Sequence, residues 1–130
     1  MPEARAADGR APGALFIVED NSIMLQTYQL VFESTPYLRV CGAAASAEEA
    51  LQMLPEAKAD VILVDLSLPG MSGLDLVRTL VRDYPDLRIV VSSGFKGEEY
   101  VRSARDAGAH GFVPKGDLHE LQTVIRNLLP

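Results

Sequence analysis

The stretch VILVDLSLPGMSG, residues 61–73, constrains the fold of this chain more strongly than any other. Four apolar residues lead into Asp65, and a Pro-Gly pair follows shortly after. A short, continuous apolar run that ends at turn residues is typical of a strand buried on both faces of a sheet. The stretch therefore predicts an interior strand that ends on a carboxylate. That carboxylate is either a turn or capping residue or a reactive group at the edge of the sheet.

Similar apolar runs recur along the chain and alternate with helical patterns. Strands are also predicted at ALFIV (14–18), LRVCGA (38–43), RIVV (88–91) and GFVP (111–114). Between the strands, apolar residues recur at spacings of three and four, which predicts helices over 22–34, 46–54, 72–84, 97–108 and 117–129. Five strands alternating with five helices predict an α/β domain with a parallel sheet.

Length and composition restrict the classes of protein to which the chain can belong. Its 130 residues suffice for one domain with a substantial core. The net charge of −6 argues against a nucleic-acid-binding surface, and no apolar run reaches the roughly 20 residues of a membrane span. A single cysteine, Cys41, excludes an internal disulfide and fits a reducing compartment, so we expect a cytoplasmic protein.

The first 13 residues differ in composition from the rest of the chain. The segment MPEARAADGRAPG is rich in alanine, proline, glycine and charge, and it lacks the apolar centre of a signal peptide. Such a composition cannot bury enough apolar surface to order a chain. We therefore predict a disordered tail over 1–13 and a domain over 14–130.

Polar side chains follow four of the five predicted strands. Ligands of open parallel sheets bind at the carboxyl ends of the strands, so side chains at the ends of neighbouring strands meet at one edge. The residues in question are Glu19 and Asp20 after the first strand, Asp65 after the third, Ser92 and Ser93 after the fourth, and Lys115 after the fifth.

These residue types together favour phosphoryl-transfer chemistry. Crowded carboxylates repel one another, a cost that Mg²⁺ relieves because it prefers carboxylate, water and phosphate oxygens. A lysine and a serine hydroxyl can contact phosphoryl oxygens, and an aspartate can be the nucleophile that forms an acyl phosphate. Any one of these residues alone is more commonly a solvated loop residue, so the prediction depends on the full set.

With these residues in place, the chain resembles the receiver domains of response regulators, the CheY-like class, over about residues 14–129. The resemblance implies a doubly wound, five-stranded parallel sheet in the order 2-1-3-4-5 with five helices, as in flavodoxin. It also implies two-component signalling, with a phosphoryl group received from a histidine kinase or a histidine phosphotransfer protein. The matching stretches are FIVEDN (16–21), ILVDLSLPGMSGLDL (62–76), IVVSSG (89–94) and AGAHGFVPK (107–115).

The resemblance also implies roles for particular residues. Asp65 is expected to be the phosphoacceptor, and Glu19 and Asp20 are expected to bind Mg²⁺, Glu19 through water. The Ser67 backbone carbonyl is expected to bind the metal as well, and Lys115 is expected to contact the phosphoryl group. A protein of this class is not an enzyme beyond catalysing its own phosphorylation and dephosphorylation.

A switch is implied by two further residues. The family places a hydroxyl residue 22 positions before the lysine, and this spacing selects Ser93. Ser92 then points to the opposite face of the strand and is predicted to be structural. Ser93 is expected to move toward the phosphoryl group, and Phe112 to rotate into the space that Ser93 leaves. We expect this movement to alter the face formed by helix four, strand five and helix five, which would then bind a second copy or an effector.

The chain departs from the family at two positions. A proline often follows the lysine in the family, whereas here Pro114 precedes Lys115 and Gly116 follows it, which leaves the conformation of this loop open. Phe95 stands where the family tunes dephosphorylation. Its side chain either shields the acyl phosphate from water or faces solvent.

Three other functions compete with this interpretation. Phosphatases with an aspartate nucleophile commonly need a second acid two residues later, where this chain has Ser67. A nucleotide- or flavin-binding module needs a glycine-rich loop after the first strand, and VEDNSI has no glycine. A receiver-like module that is never phosphorylated does not need the complete set of acidic, hydroxyl and lysine residues, so the presence of this set argues against that alternative.

The output of the protein stays open at this stage. The stretches PDLRIVV and EEYVRSARDAGAHGFVPK are similar to receivers joined to helix-turn-helix DNA-binding domains. The chain is therefore either a stand-alone receiver or the receiver part of a longer regulator, such as a transcription factor.

Overall fold

The computed structural model describes residues 12–94 and 97–130. Most of the predicted tail, and Phe95 with its predicted role, lie outside the described residues. No helix in the described part is both long enough and apolar enough to span a membrane.

Five parallel strands form a single sheet in the order β2-β1-β3-β4-β5, which confirms the predicted doubly wound α/β fold. The strands are β1 (Gly13–Val18), β2 (Leu38–Ala44), β3 (Val61–Asp65), β4 (Arg88–Ser93) and β5 (Gly111–Pro114). The helices are α1 (Ser22–Glu33), α2 (Ala47–Ala57), α3 (Gly73–Asp83), α4 (Glu98–Ala107) and α5 (Leu118–Leu128).

Alternation along the strands divides the core into two layers. Side chains such as Phe16, Ile62 and Val91 pack against α2, α3 and α4 on one face. The intervening residues, such as Leu63 and Val90, pack against α1 and α5 on the other face. Because both faces are covered, the interior strands are apolar throughout, which explains the continuous apolar runs in the sequence.

β1 and α2 each extend beyond their predicted bounds because of a contact outside the local sequence pattern. β1 begins at Gly13, inside the predicted tail, because the Gly13 N–H donates to the Tyr37 carbonyl at 3.0 Å and adds a rung beside β2. α2 continues past its predicted end through Pro55 and stops at Ala57. The proline removes one backbone donor in the last turn, while Leu54 in the same turn stays buried in the core and holds the helix there. Lys58 then ends the helix in the left-handed region, with φ 53°.

The His110 ring closes the start of the β4–β5 ladder. The Ile89 N–H donates to His110 Nδ1 at 2.9 Å, and the His110 N–H donates to the Ile89 carbonyl at 2.8 Å. Partial burial, followed by the charge of Arg88, lowers the pKa of His110. Only an imidazole without a proton on Nδ1 can accept from Ile89, so this contact favours the neutral ring.

We expect the His110 contact to make stability depend on pH. Because the folded-state pKa lies below the usual 6.5, the contribution is complete above about pH 6.5 and is lost as the pH falls through the folded value. In urea melts, the difference in unfolding free energy between wild type and His110→Ala should shrink from pH 7.5 to pH 5. Its size should be at most about 1 kcal/mol, since the ring is largely exposed. A difference that grows toward acid would contradict the assignment, and His119→Ala is the matched control.

Candidate functional site

Three carboxylates meet at the carboxyl edge of the sheet. Asp65 is the last residue of β3, the central strand, and is buried. Glu19 directly follows β1, where its N–H donates to the Ala44 carbonyl at 3.0 Å, and it is also buried. Asp20 is exposed. One oxygen from each of these three side chains lies within 4.8 Å of the other two, so the cluster can share one cation.

Lys115 connects two of these carboxylates. Its backbone N–H donates to the Ser93 carbonyl at 2.8 Å, which fixes the chain just after β5. Its Nζ atom lies 2.9 Å from Glu19 Oε1 and 3.3 Å from Asp65 Oδ2. The lysine side chain is 24% exposed, whereas the two carboxylates are 1% and 4% exposed. The ammonium group therefore compensates two charges that are almost completely removed from water.

Local backbone groups orient the same carboxylates. The Ser67 N–H donates to Asp65 Oδ1 at 3.1 Å, and the Asn21 N–H donates to Glu19 Oε2 at 3.1 Å. The Asn21 side chain in turn accepts from the Met24 N–H and caps α1. Each buried carboxylate is thus held by one backbone N–H, and Lys115 approaches both oxygens of Glu19 and one oxygen of Asp65.

Burial and charge contacts shift the pKa values of Glu19 and Lys115. Burial raises the pKa of Glu19, and the nearby Asp65 charge raises it further, although Lys115 and the Asn21 N–H act in the opposite direction. Burial alone would lower the pKa of Lys115, but its contacts with both carboxylates outweigh that effect and raise it. The single lysine does not fully compensate Glu19, so an additional cation would stabilise its ionised form.

The loop after Asp65 is held by contacts that the sequence did not predict. Glu48, in the first turn of α2, accepts from the Met71 N–H at 3.0 Å. A side chain at Gly73 would collide with the Asp65 carbonyl, so only glycine lets α3 begin this close to the site. Glu48 carries no sequence signal for this role because its partner is 23 residues away.

The structure places the two serines of β4 on opposite faces of the sheet. Ser93 is fully buried and shares a face with Ile89 and Val91, while Ser92 pairs with Asp65 in the ladder and lies on the other face. Phe112 pairs with Val91, so it lies on the same face as Ser93. This arrangement is the one that the predicted switch requires, but the resting structure does not test the movement itself.

A groove of about 740 Å³ lies beside Phe112 on the α4-β5-α5 face. The groove combines apolar side chains with two basic and one acidic side chain of α4 and one acidic side chain of α5. Its lining includes Val101, Arg102, Arg105, Phe112, Pro114 and Glu120.

Comparisons with known proteins place this geometry in a family. The family model of the response regulator receiver domain matches residues 15–126. The chain therefore belongs to the response regulator receiver domains, the CheY-like proteins of two-component signalling.

Individual relatives carry different outputs. A DNA-binding transcriptional activator, DevR/DosR from Mycobacterium tuberculosis, is 34% identical over 101 residues, which is 78% of this chain and 46% of that protein. A protein-glutamate methylesterase/protein-glutamine glutaminase from Pyrococcus abyssi is 33% identical over 102 residues, 78% of this chain and 28% of that protein. The crystal structure of a LuxR-family two-component response regulator from Aurantimonas superposes with a TM-score of 0.85 at 29% identity, covering 91% of this chain and 85% of the other. The chain spans about half, or less, of the length of these two curated relatives.

Proposed function

We propose that Asp65 accepts a phosphoryl group from a histidine kinase or a histidine phosphotransfer protein. The observation that carries the proposal is the joint placement of three carboxylates within 4.8 Å of one another and a lysine that bridges the two buried ones. A helix-capping role does not account for this placement, because Asp65 caps no helix and lies at the centre of the sheet.

The chain's own residues supply most of the chemistry. One Asp65 oxygen attacks phosphorus while the bond from phosphorus to the donor's imidazole nitrogen breaks, and the imidazole leaves with the electron pair. The Ser67 N–H fixes the orientation of the carboxylate, and Lys115 neutralises charge that develops on the phosphoryl oxygens.

The donor set of the site fits Mg²⁺. Carboxylates of Glu19, Asp20 and Asp65, with the Ser67 carbonyl, would hold the ion, with water in the remaining positions. When bound, the ion supplies positive charge that offsets the repulsion between the carboxylates and the incoming phosphoryl group.

The signal passes to the α4-β5-α5 face. Ser93 donates its hydroxyl to the phosphoryl group, and Phe112 rotates inward on the same face of the sheet. The altered groove then binds a second copy or an effector, with the α4 arginines facing acidic groups of the partner. A transcriptional output is supported by the DNA-binding relative. The single cysteine of the chain supports a cytoplasmic location, since it fits a reducing compartment.

Phosphorylation in the absence of a kinase tests this function. Incubation with acetyl phosphate and Mg²⁺ should add one phosphoryl group, measured by intact-protein mass spectrometry. Asp65→Asn should gain none, because an amide is not a nucleophile for this transfer. Asp86→Asn, an exposed aspartate before β4 at the opposite edge of the sheet, should behave as wild type. Equal labelling of wild type and Asp65→Asn would refute the assignment. No labelling of wild type would favour a receiver-like module that is never phosphorylated.

A further inference from the structure

Two buried hydroxyl groups lie behind the carboxylate cluster without a partner. Tyr28, on α1, is 1% exposed, and Ser92, on β4, is 2% exposed. Within the described residues, neither Tyr28 Oη nor Ser92 Oγ makes a hydrogen bond. Buried polar side chains in folded proteins nearly always have a partner, so a neighbouring pair without one needs an explanation.

The sheet register places Ser92 beside the phosphoacceptor. Asp65 and Ser92 are paired in the β3–β4 ladder, and the Leu66 N–H, directly after Asp65, donates to the Ser92 carbonyl at 3.4 Å. Paired residues of parallel strands direct their side chains to the same face. Ser92 Oγ therefore lies next to the Asp65 side chain, on the α1–α5 side of the sheet.

The Tyr28 ring occupies the same layer and is held in place by packing. It stacks on Phe32 at a centroid distance of 5.9 Å, inside the apolar cluster under α1 and α5. Burial raises the pKa of Tyr28, and the adjacent Ser92 hydroxyl lowers it by less. The charges of Glu19 and Asp65 also raise the pKa of Tyr28, and the charge of Lys115 lowers it. The two hydroxyls are neighbours, but their oxygen atoms do not meet hydrogen-bond geometry in this state.

Phosphorylation changes which hydrogen-bond donors contact the carboxyl group of Asp65. In the resting site, Lys115 occupies Asp65 Oδ2 and the Ser67 N–H occupies Oδ1. An added phosphoryl group carries strong negative charge and acceptor oxygens, which attract the lysine toward it. With phosphorus on Oδ1, the Oδ2 atom of Asp65 then loses the hydrogen bond from Lys115. A neutral donor that is already buried on the same face can replace that partner when the Ser92 side chain rotates about χ1 and brings its oxygen toward Asp65.

We propose that Tyr28 and Ser92 are positioning residues whose hydroxyl groups make their hydrogen bonds only in the phosphorylated state. In that state, the Ser92 hydroxyl donates to the remaining carbonyl oxygen of Asp65, and the Tyr28 hydroxyl donates to Ser92 Oγ. The inference rests on the proposed function, because it requires a phosphoryl group on Asp65. The proposal gives phosphorylation a second effect. This effect lies on the face of β4 opposite Ser93, inside the core, and not at the surface that binds partners.

Thermal melts in two states test the proposal. Tyr28→Phe and Ser92→Ala remove hydroxyls that have no partner at rest, so each should raise the Tm of the resting protein by about 3 °C. Adding Mg²⁺ and beryllofluoride, a mimic of the phosphoryl group, should raise the Tm of each variant by less than it raises that of wild type. The shortfall should be similar in size to the increase at rest. The double variant should lose little more than either single variant, because the two hydroxyls form one chain.

Tyrosine absorption provides a readout that simple packing would not change. The chain has four tyrosines and no tryptophan, so the near-ultraviolet spectrum reports on tyrosine alone. Beryllofluoride should produce a tyrosine difference spectrum in wild type that is much weaker in Tyr28→Phe, where Tyr100 of α4 still contributes. Tyr37→Phe is the control, because the Tyr37 hydroxyl donates to the Gln122 carbonyl at 3.2 Å and its loss should lower both Tm values equally.

The outcomes separate this inference from the proposed function. If wild type shows no Tm gain with Mg²⁺ and beryllofluoride, the proposed function fails and the inference fails with it. If wild type responds but Tyr28→Phe and Ser92→Ala change both states equally, with the tyrosine difference spectrum retained, only the inference is overturned.

Discussion

Asp20→Ala is expected to abolish phosphorylation by acetyl phosphate and to weaken Mg²⁺ binding on the order of a hundredfold, about 2.7 kcal/mol. Asp20 is the one exposed member of the three-carboxylate cluster, so its removal takes away a charged ligand without opening the core. Mg²⁺ gives up its water reluctantly and depends on carboxylates for binding, so two buried groups already compensated by Lys115 are a poor substitute.

The Asp20→Ala variant should remain folded and should be at least as stable as wild type without metal, because one repulsive charge is gone. Isothermal titration with MgCl₂ measures the affinity, and intact mass measures the phosphorylation. Asp86→Ala provides a matched loss of one exposed carboxylate at the opposite edge of the sheet. An unchanged magnesium titration in Asp20→Ala would place the metal elsewhere.

Lys115→Met is expected to lower the free energy of unfolding by about 3 kcal/mol in the absence of divalent metal. The lysine is the cation that compensates Glu19 and Asp65, which are 1% and 4% exposed. Methionine keeps most of the apolar stem, so the loss reports on the charge and not on the packing. Removing one partner of a buried ion pair leaves the other charges without compensation, which costs more than the pair itself contributes.

Mg²⁺ should restore part of the stability of Lys115→Met, because a ligand that binds only the folded state raises its stability. Urea melts with EDTA and with MgCl₂ measure this, and the metal-dependent gain should exceed that of wild type. Arg82→Met removes an exposed cation paired with Asp83 and should leave stability nearly unchanged, because water screens such a pair. A variant as stable as wild type in EDTA would contradict the role given to Lys115.

The fold could be predicted from the sequence because its strongest signals are local. The run VILV and its equivalents identify strands that are covered on both faces, and the alternation with helices implies a parallel sheet. Where local signals misled, a nonlocal contact was responsible. Gly13 joined β1 because of its bond to Tyr37, and α2 passed through Pro55 because Leu54 stayed buried.

The carboxylate site could be predicted to the level of which residues meet, since Glu19, Asp20, Asp65 and Lys115 all follow strands. The sequence could not show which contacts they would make, because those depend on side-chain geometry across neighbouring strands. The sequence places Tyr28 within a predicted helix without a role, and it predicts only a structural role for Ser92. Their placement behind Asp65 follows from the sheet register and from the way α1 packs, neither of which is encoded within a few residues.

The most direct test of the central claim is to locate the phosphoryl group chemically. The protein is incubated with acetyl phosphate and Mg²⁺, then reduced with borohydride, which converts an aspartyl phosphate to homoserine. Tandem mass spectrometry of the digested protein then identifies the modified position. We expect homoserine at position 65 and at no other aspartate. Homoserine at Asp20 or at any other position, with Asp65 unmodified, would contradict the account.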